Sequence, residues 1–194
     1  MGIGKLVRAF FAAEIDERLR KELAAAIEDL RTVGAAVRWV APGNLHWTVK
    51  FLGDVPMNQV GEIAKAAGAA LAGHEPFAGV VAGVAPFPDD RRMRLVAARM
   101  EDGGRLGAIR DALEPEMERF GAPPDGRGFK AHLTMGRVKG SRGIGELAEA
   151  LKPYQEKSFG ECRVEGLTLF MSELSPRGST YTALARIPLG GTGG

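Results

Sequence analysis

Strand-like and helix-like segments alternate along this chain, but several strand-like segments follow one another through short turns. Apolar stretches rich in β-branched and aromatic residues predict strands over 7–15, 37–40, 45–52, 77–84, 94–99, 129–138, 163–171 and 181–187. Segments with one apolar stripe predict helices over about 16–33, 58–71, 105–120 and 144–151. A wholly parallel sheet would need a helix between every pair of strands, so this order favours an α+β fold with mainly antiparallel sheets.

Composition excludes several classes of protein. The chain has 194 residues, of which 45% are hydrophobic and 26% charged, so disordered, collagen-like and coiled-coil proteins are excluded. The single cysteine, Cys162, rules out an internal disulfide and most cysteine-rich zinc sites. The net charge of +2 does not suit bulk coating of nucleic acid, although it leaves room for a local basic cleft. No apolar run is long enough to span a bilayer and no signal peptide is evident, so we expect a cytoplasmic protein.

Two of the three histidines stand in the same local pattern. His46 and Thr48 are separated by one apolar residue, and so are His132 and Thr134, each pair within a predicted strand. Residues two apart on a strand point to the same face, about 6.5–7 Å apart. Each motif therefore presents one imidazole and one hydroxyl together, while Trp47 in the first motif should face away from the cleft.

This set of side chains suits a phosphate ester. One imidazole can take a proton from water and the other can give one to the leaving oxygen, because the unperturbed pKa of histidine is about 6.5. The two hydroxyls can donate hydrogen bonds to the non-bridging oxygens of the phosphate. If the two strands lie side by side, the site is complete.

Two other interpretations of the motifs remain open. Either histidine can be a structural strand residue beside a β-favouring threonine. A metal site is the second alternative, but neither motif brings an Asp, Glu or Cys at ligand spacing, so we expect no metal and no other cofactor. The third histidine, His74, lies in a polar turn and is expected to be solvated.

The motifs and their flanking sequences resemble the two-histidine phosphoesterase superfamily. The stretch Asn44–Gly53 carries the first motif, and the second ends in Gly136 and Arg137. The similarity is closest to the bacterial and archaeal RNA 2′,3′-cyclic phosphodiesterases, also called 2′-5′ RNA ligases. Further similar stretches are 8–15, 85–88 and 169–181, so the resemblance extends from about residue 6 to residue 189.

The resemblance implies both a fold and a reaction. It implies two lobes related by a pseudo-twofold axis, each an antiparallel sheet with helices outside, and an active site in the cleft between them. His46 would be the proton donor and His132 the proton acceptor, while Thr48 and Thr134 would hold the phosphate. The substrate would be an RNA or nucleotide ending in a 2′,3′-cyclic phosphate, opened to a 2′-phosphomonoester, and the reverse reaction would join RNA through a 2′-5′ bond.

Three more residues are candidates for binding the substrate. Strict alternation would turn Arg137 away from His132, so a bulge or strand end at Gly136 is needed to direct it to the phosphate, as the resemblance implies. Lys130 lies two residues before His132 and shares its face if the strand is regular. Phe11 is our choice for stacking on a base, from six aromatic candidates: Phe10, Phe11, Trp39, Phe51, Phe87 and Phe129.

The sequence thus predicts a metal-independent hydrolase. We expect one bilobal domain over residues 1–189, a flexible glycine-rich tail over 190–194, and a monomer without membrane partners. Two rivals remain: an enzyme acting on another cyclic or 2′-5′ phosphodiester, such as ADP-ribose cyclic phosphate or oligoadenylate, and a non-catalytic module that binds nucleotides or RNA.

Overall fold

The computed structural model describes residues 5–89, 92–124, 129–176 and 178–190. Within these ranges the chain forms nine strands and four α-helices. In chain order they are β1 (Leu6–Glu14), α1 (Glu17–Arg31), β2 (Val37–Trp39), β3 (His46–Pro56), α2 (Val60–Leu71), β4 (Phe77–Phe87), β5 (Leu95–Glu101), α3 (Arg105–Glu118), β6 (His132–Val138), α4 (Ile144–Leu151), β7 (Ser158–Val164), β8 (Gly166–Ser175) and β9 (Gly178–Pro188).

All nine strands belong to one sheet whose neighbouring strands pair antiparallel. The order is β7-β4-β5-β6-β3-β1-β8-β9, and the short β2 also pairs with β6, on the edge opposite β5. The middle of this strand order lies between β6 and β3, and these two strands meet where Trp47 pairs with Leu133. We call β3, β1, β8 and β9 the first lobe and β6, β5, β4 and β7 the second lobe. The predicted α+β class with antiparallel strands is confirmed.

The helices cover the back of the sheet. Helix α2 packs against β9 and α3 against β3 of the first lobe, while α1 packs against β7 and α4 against β4 of the second lobe. Trp47 is 1% exposed and Leu133 is 0% exposed, so the backs of both motif strands face this apolar core. The prediction that Trp47 turns away from the cleft is confirmed.

A β-bulge interrupts β3 just after the first motif. The pairing of β1 with β3 shifts by one residue between Thr48 and Lys50, which leaves Val49 without a partner. A bulge of this kind breaks the in-and-out alternation of side chains. Val49 and Lys50 are consequently both buried, and Phe51 is turned to the exposed face.

A second bulge stands at the matching place in β6. The pairing of β5 with β6 shifts between Thr134 and Gly136, which leaves Met135 without a partner. Met135 and Gly136 are both buried, and Arg137 is exposed. A Cβ atom added to Gly136 would lie 2.9 Å from the ring of Trp39, so only glycine allows β2 to pack this closely. The bulge predicted near Gly136 is therefore present, and the first six residues of β3 and of β6 have the same sequence of buried and exposed positions.

Lys50 joins β3 to the segment that leads into the second motif. Its Nζ donates to Glu114 Oε1 of α3 at 3.0 Å and to the carbonyl of Pro123 at 2.6 Å. The Nε of Arg110 donates to the same carboxylate oxygen at 3.1 Å. Because the Lys50 side chain is only 3% exposed, solvent screens this network little. It ties the first motif strand to the approach to β6.

Two predicted strands differ from the structure. The single strand predicted over 163–171 is the end of β7 and the start of β8, separated by Glu165. The chain passes there from the second lobe to the first, and a continuous apolar run does not reveal that a strand changes its neighbours. The strand predicted from residue 129 begins only at His132, because Phe129 instead packs beneath the Arg110 guanidinium.

Asp16 caps α1 as predicted, since its carboxylate accepts the Leu19 N–H at 2.7 Å.

The C-terminal end of the chain is only partly described. Gly190 donates its N–H to the carbonyl of His74 at 2.7 Å, and the rest of the predicted flexible tail, 191–194, lies outside the described residues. Among the helices of the described ranges, none has the length and apolar character needed to cross a membrane.

We expect Lys50→Met to destabilise the protein. Methionine keeps the length of the side chain but removes the ammonium from a buried ion pair, which typically costs 3–5 kcal/mol. Since Arg110 still neutralises Glu114, we expect the lower end, roughly 3 kcal/mol in the free energy of unfolding measured by urea denaturation. Lys65→Met, on the exposed face of α2, is the matched control and should change stability by less than about 0.5 kcal/mol. Equal stability of the two variants would contradict a structural role for the network.

Candidate active site

The junction of the two lobes brings both motifs together. Next to an antiparallel pair, the following residue of one strand faces the preceding residue of the other. The pairing of Trp47 with Leu133 thus places His46 beside Thr134, and Thr48 beside His132. All four side chains are half-buried and lie on the face opposite the core.

Both imidazoles are held in the same way. The Nδ1 of His46 lies 2.7 Å from the carbonyl oxygen of Asn44, and the Nδ1 of His132 lies 2.8 Å from that of Lys130. A carbonyl can only accept, so Nδ1 carries the proton in each ring and Nε2 is left for chemistry. The Nε2 of His46 is 3.0 Å from Thr48 Oγ1, whose hydroxyl donates to it when the ring is neutral.

Aromatic rings fix the orientation of both histidines. Phe10 lies 5.1 Å from the ring of His46, and Tyr181 contacts it edge-on at 5.2 Å. Phe87 stacks on the ring of His132 at 4.6 Å. With Nδ1 bonded and the ring faces packed, the direction in which each Nε2 points is set before any substrate arrives, which is the preorganisation that proton transfer needs.

A cavity of about 550 Å³ opens beside the first motif. His46, Thr48, Thr134 and Arg137 line it, whereas His132 is not a lining residue and lies beside Thr48 on the adjoining strand. Three further cations belong to its walls: Arg8, Arg38 and Lys139. Among the described residues that line it there is no carboxylate, so the cavity attracts anions.

The cationic wall acts on His46. Burial of the imidazole lowers the pKa of His46, the hydrogen bond to the Asn44 carbonyl opposes this, and the positive charge of Arg137 lowers the pKa further. Because the pKa of His46 lies below its usual value, the imidazole of the free protein is neutral at pH 7. A bound phosphate would bring negative charge beside both groups and so favour the protonated imidazole.

The three residues predicted to bind the substrate lie in different surroundings, and only one of them lines the cavity. Arg137 reaches the cavity because of the bulge before it. The choice of Phe11 is wrong: the residue is 0% exposed in the core, on the opposite face of β1 from Phe10, which lines the cavity. Lys130 is exposed and precedes β6, so the strand-face argument does not apply to it; its carbonyl holds His132.

Several residues of the cavity were missed by sequence reasoning. They are the cations Arg8, Arg38 and Lys139, which come from β1, β2 and the position just after β6. Nothing local marks the three cations. Phe51 was an aromatic candidate ranked behind Phe11, although it stands five residues after His46 as Arg137 stands five after His132. In the described part of the chain, no three His, Cys, Asp or Glu side chains gather as a metal site would require.

The chain is similar to known phosphoesterases along nearly its whole length. Residues 14–96 and 100–181 match the family model described as LigT-like phosphoesterase. A Methanothermobacter thermautotrophicus protein named RNA 2′,3′-cyclic phosphodiesterase is 37% identical over 176 residues, which is 91% of this chain and 95% of that protein. An Aquifex aeolicus protein of the same name is 32% identical and is covered over 100% of its length by 96% of this chain.

Solved structures agree with this result. A crystal structure from Thermus thermophilus superposes with a TM-score of 0.79 at 28% identity, covering 95% of this chain and 99% of that one. Escherichia coli LigT complexed with 3′-AMP has the same fold, with a TM-score of 0.77 at 23% identity, again over 95% and 99% of the two chains. Because the family model matches most of the chain and a relative is 37% identical over 91% of it, the chain belongs to the LigT-like phosphoesterase family.

Proposed function

We propose that this chain hydrolyses 2′,3′-cyclic phosphate ends of RNA to 2′-phosphomonoesters. The observation that best supports this proposal is the pair of imidazoles on adjoining strands. In each ring Nδ1 is hydrogen-bonded to a backbone carbonyl, Nε2 is left for proton transfer, and a threonine hydroxyl lies beside the ring. The relatives named RNA 2′,3′-cyclic phosphodiesterase support the substrate class. The cation-lined cavity supports an anionic ligand.

The two histidines divide the proton transfers. His132 takes a proton from water, whose oxygen attacks phosphorus, and the P–O3′ bond breaks as His46 gives its proton to the 3′-oxygen. Thr48, Thr134 and Arg137 contact the non-bridging oxygens, where negative charge is greatest, and contact from the exposed ammonium of Lys130 stays a prediction. A 5′-hydroxyl end that replaces water as the nucleophile opens the same cyclic phosphate, again with the 3′-oxygen leaving, and joins RNA through a 2′-5′ bond.

The remaining properties follow from the same proposal. The chemistry assigns every proton transfer to a side chain, so it uses no metal and no other cofactor. The continuous sheet across both lobes supports action as one bilobal domain over residues 1–189, and we propose that the protein acts as a monomer. Cys162 is buried and has no second cysteine to pair with, which suits the reducing cytoplasm.

We expect His46→Ala and His132→Ala each to lose about 10²–10⁴-fold in kcat, because each removes a general acid or base. The double variant should be little worse than either single one, since the two act as a unit. The assay is hydrolysis of adenosine 2′,3′-cyclic phosphate in excess EDTA, with the product identified by phosphorus NMR. His74→Ala is the matched control and should retain full activity.

Three results would contradict the proposal. A single variant with normal turnover would refute the two-histidine mechanism. Loss of activity in EDTA and recovery with zinc or manganese would indicate a metal-bound hydroxide instead. Binding without turnover by the wild type would favour a non-catalytic module, whereas turnover only of ADP-ribose cyclic phosphate or oligoadenylate would favour a sibling enzyme.

We expect Arg137→Gln to raise the pKa of His46. The guanidinium disfavours the imidazolium, so removing its charge makes protonation easier. The measurement is an NMR titration of the histidine ring protons, with His46 assigned by its absence from His46→Ala. Arg119→Gln, at the exposed end of α3, should leave the titration of His46 unchanged. An unaltered pKa in Arg137→Gln would show that the two charges do not interact.

We expect bell-shaped pH profiles in which the alkaline limb of kcat lies at higher pH than that of kcat/KM. The limb of kcat/KM reports the free enzyme, where burial and Arg137 hold the pKa of His46 down. The limb of kcat reports the complex, where the phosphate charge favours the protonated ring. Steady-state kinetics from pH 5 to 9 tests this order, and both limbs are properties of the coupled pair of histidines. Coincident or reversed alkaline limbs would contradict His46 as the proton donor.

A further inference from the structure

Three cations stand together where β2 pairs with β6. Arg38 of β2 lies directly opposite Arg137 of β6, and Lys139 follows Arg137 by two residues. All three are exposed and line the cavity. Opposite residues of an antiparallel pair have Cβ atoms about 4.5–5.5 Å apart, and like charges placed there destabilise the pair. We call Arg38, Arg137 and Lys139 the basic cluster, and its charges repel one another when the site is empty.

Neighbouring carboxylates do not offset this repulsion. Within the described ranges, no acidic side chain forms an ion pair with a member of the basic cluster, whereas surface ion pairs occur elsewhere, such as those of Arg31 and Lys152. The fourth cation of the cavity differs, because Arg8 lies opposite the exposed Asp54 of β3. The basic cluster is thus the part of the cavity wall where positive charge is left for a ligand.

One phosphate does not account for the whole basic cluster. A 2′,3′-cyclic phosphate is a diester with a single negative charge, and in the proposed reaction Arg137 and the two motif threonines contact it. Arg38 and Lys139 remain. The Nη2 of Arg38 donates to the carbonyl of Pro176, in the turn between β8 and β9, at 3.2 Å. This bond holds the guanidinium in place, and its remaining N–H groups can bind an anion.

We propose that Arg38 and Lys139 bind the phosphate that links the terminal nucleotide of the RNA to the nucleotide before it. This inference rests on the proposed function and adds to it a second phosphate site. Consecutive phosphates of an RNA chain are one nucleotide apart, and the basic cluster places cations for both side by side: Arg137 meets the terminal phosphate, and Arg38 and Lys139 meet the next one. Because contacts to phosphate carry no sequence information, the site favours RNA ends over mononucleotides whatever their bases.

The test compares two substrates that differ by one phosphate. The first is adenosine 2′,3′-cyclic phosphate. The second also carries a methyl phosphate diester on its 5′-oxygen, which has the charge of an RNA linkage but brings no second nucleoside. The measured quantity is the ratio of kcat/KM for the second substrate to that for the first. We expect the wild type to prefer the second substrate roughly tenfold, the effect of one hydrogen bond to a charged group at the lower end of its usual range. The preference should lie mainly in KM, because this contact does not change during the reaction.

Two variants make the result specific. The double variant of Arg38→Gln with Lys139→Gln removes both charges and should abolish the preference. Arg8→Gln is the matched control, because it makes the same substitution in the same cavity but outside the basic cluster; it should retain the preference of the wild type. The ratio of the two substrates cancels any effect of a variant on folding or on the terminal phosphate. In the wild type the preference should shrink as NaCl is raised, because salt screens a contact between exposed charges.

The outcomes separate the inference from the function on which it rests. A wild type without the preference, a preference that does not respond to salt, or one that survives in the double variant would overturn the second phosphate site while the phosphodiesterase activity stands. An equal loss on both substrates would assign Arg38 and Lys139 to the terminal phosphate and would overturn the inference as well. Failure of the wild type to hydrolyse either substrate would overturn the proposed function, and the second phosphate site with it.

Discussion

The pairing of Trp47 with Leu133 is the contact on which the site depends. It is where β3 of the first lobe meets β6 of the second, and the buried side chains of both residues anchor it to the core. Alternation along the two strands then directs the neighbours of this pair, both histidines and both threonines, to the opposite face. His46 and His132 are far apart in the sequence, yet both are held by rigid strands and not by loops. This limits the motion of each imidazole.

The two bulges add a second layer to this arrangement. Without them, the residue five positions after each histidine would point into the core, since an odd spacing reverses the face. The bulge in β6 brings Arg137 to the cavity, and the bulge in β3 brings Phe51 there while it buries Lys50. Burial of Lys50 is tolerated because Glu114 neutralises its charge, and because Glu114 and the Pro123 carbonyl both accept hydrogen bonds from its ammonium. The bulge in β3 therefore shapes the cleft on one face and, on the other, ties β3 to α3 and to the segment that leads into β6.

Electrostatics gives the cavity its character without a large net charge. The chain carries only +2 overall, yet four cations and, among the described lining residues, no carboxylates surround the cavity. The same charge that attracts a phosphate holds the pKa of His46 down in the empty site. An anionic substrate relieves that effect on binding, so the proton that His46 must donate is retained better when a substrate is present than when the site is empty.

The sequence alone determined the fold class, the helices and the two reactive pairs. Apolar periodicity reports helix and strand locally, and the repeated spacing of His46 with Thr48 and of His132 with Thr134 survives because a strand fixes which residues share a face. The tertiary structure decided what depends on neighbours: that residues 163–171 belong to two strands, that Phe11 is buried while Phe51 is exposed, and that Arg8, Arg38 and Lys139 reach the cavity. These outcomes depend on which strand pairs with which and on where the register shifts, and local sequence carries neither, because a bulge or a change of partner is stabilised by residues distant in the chain.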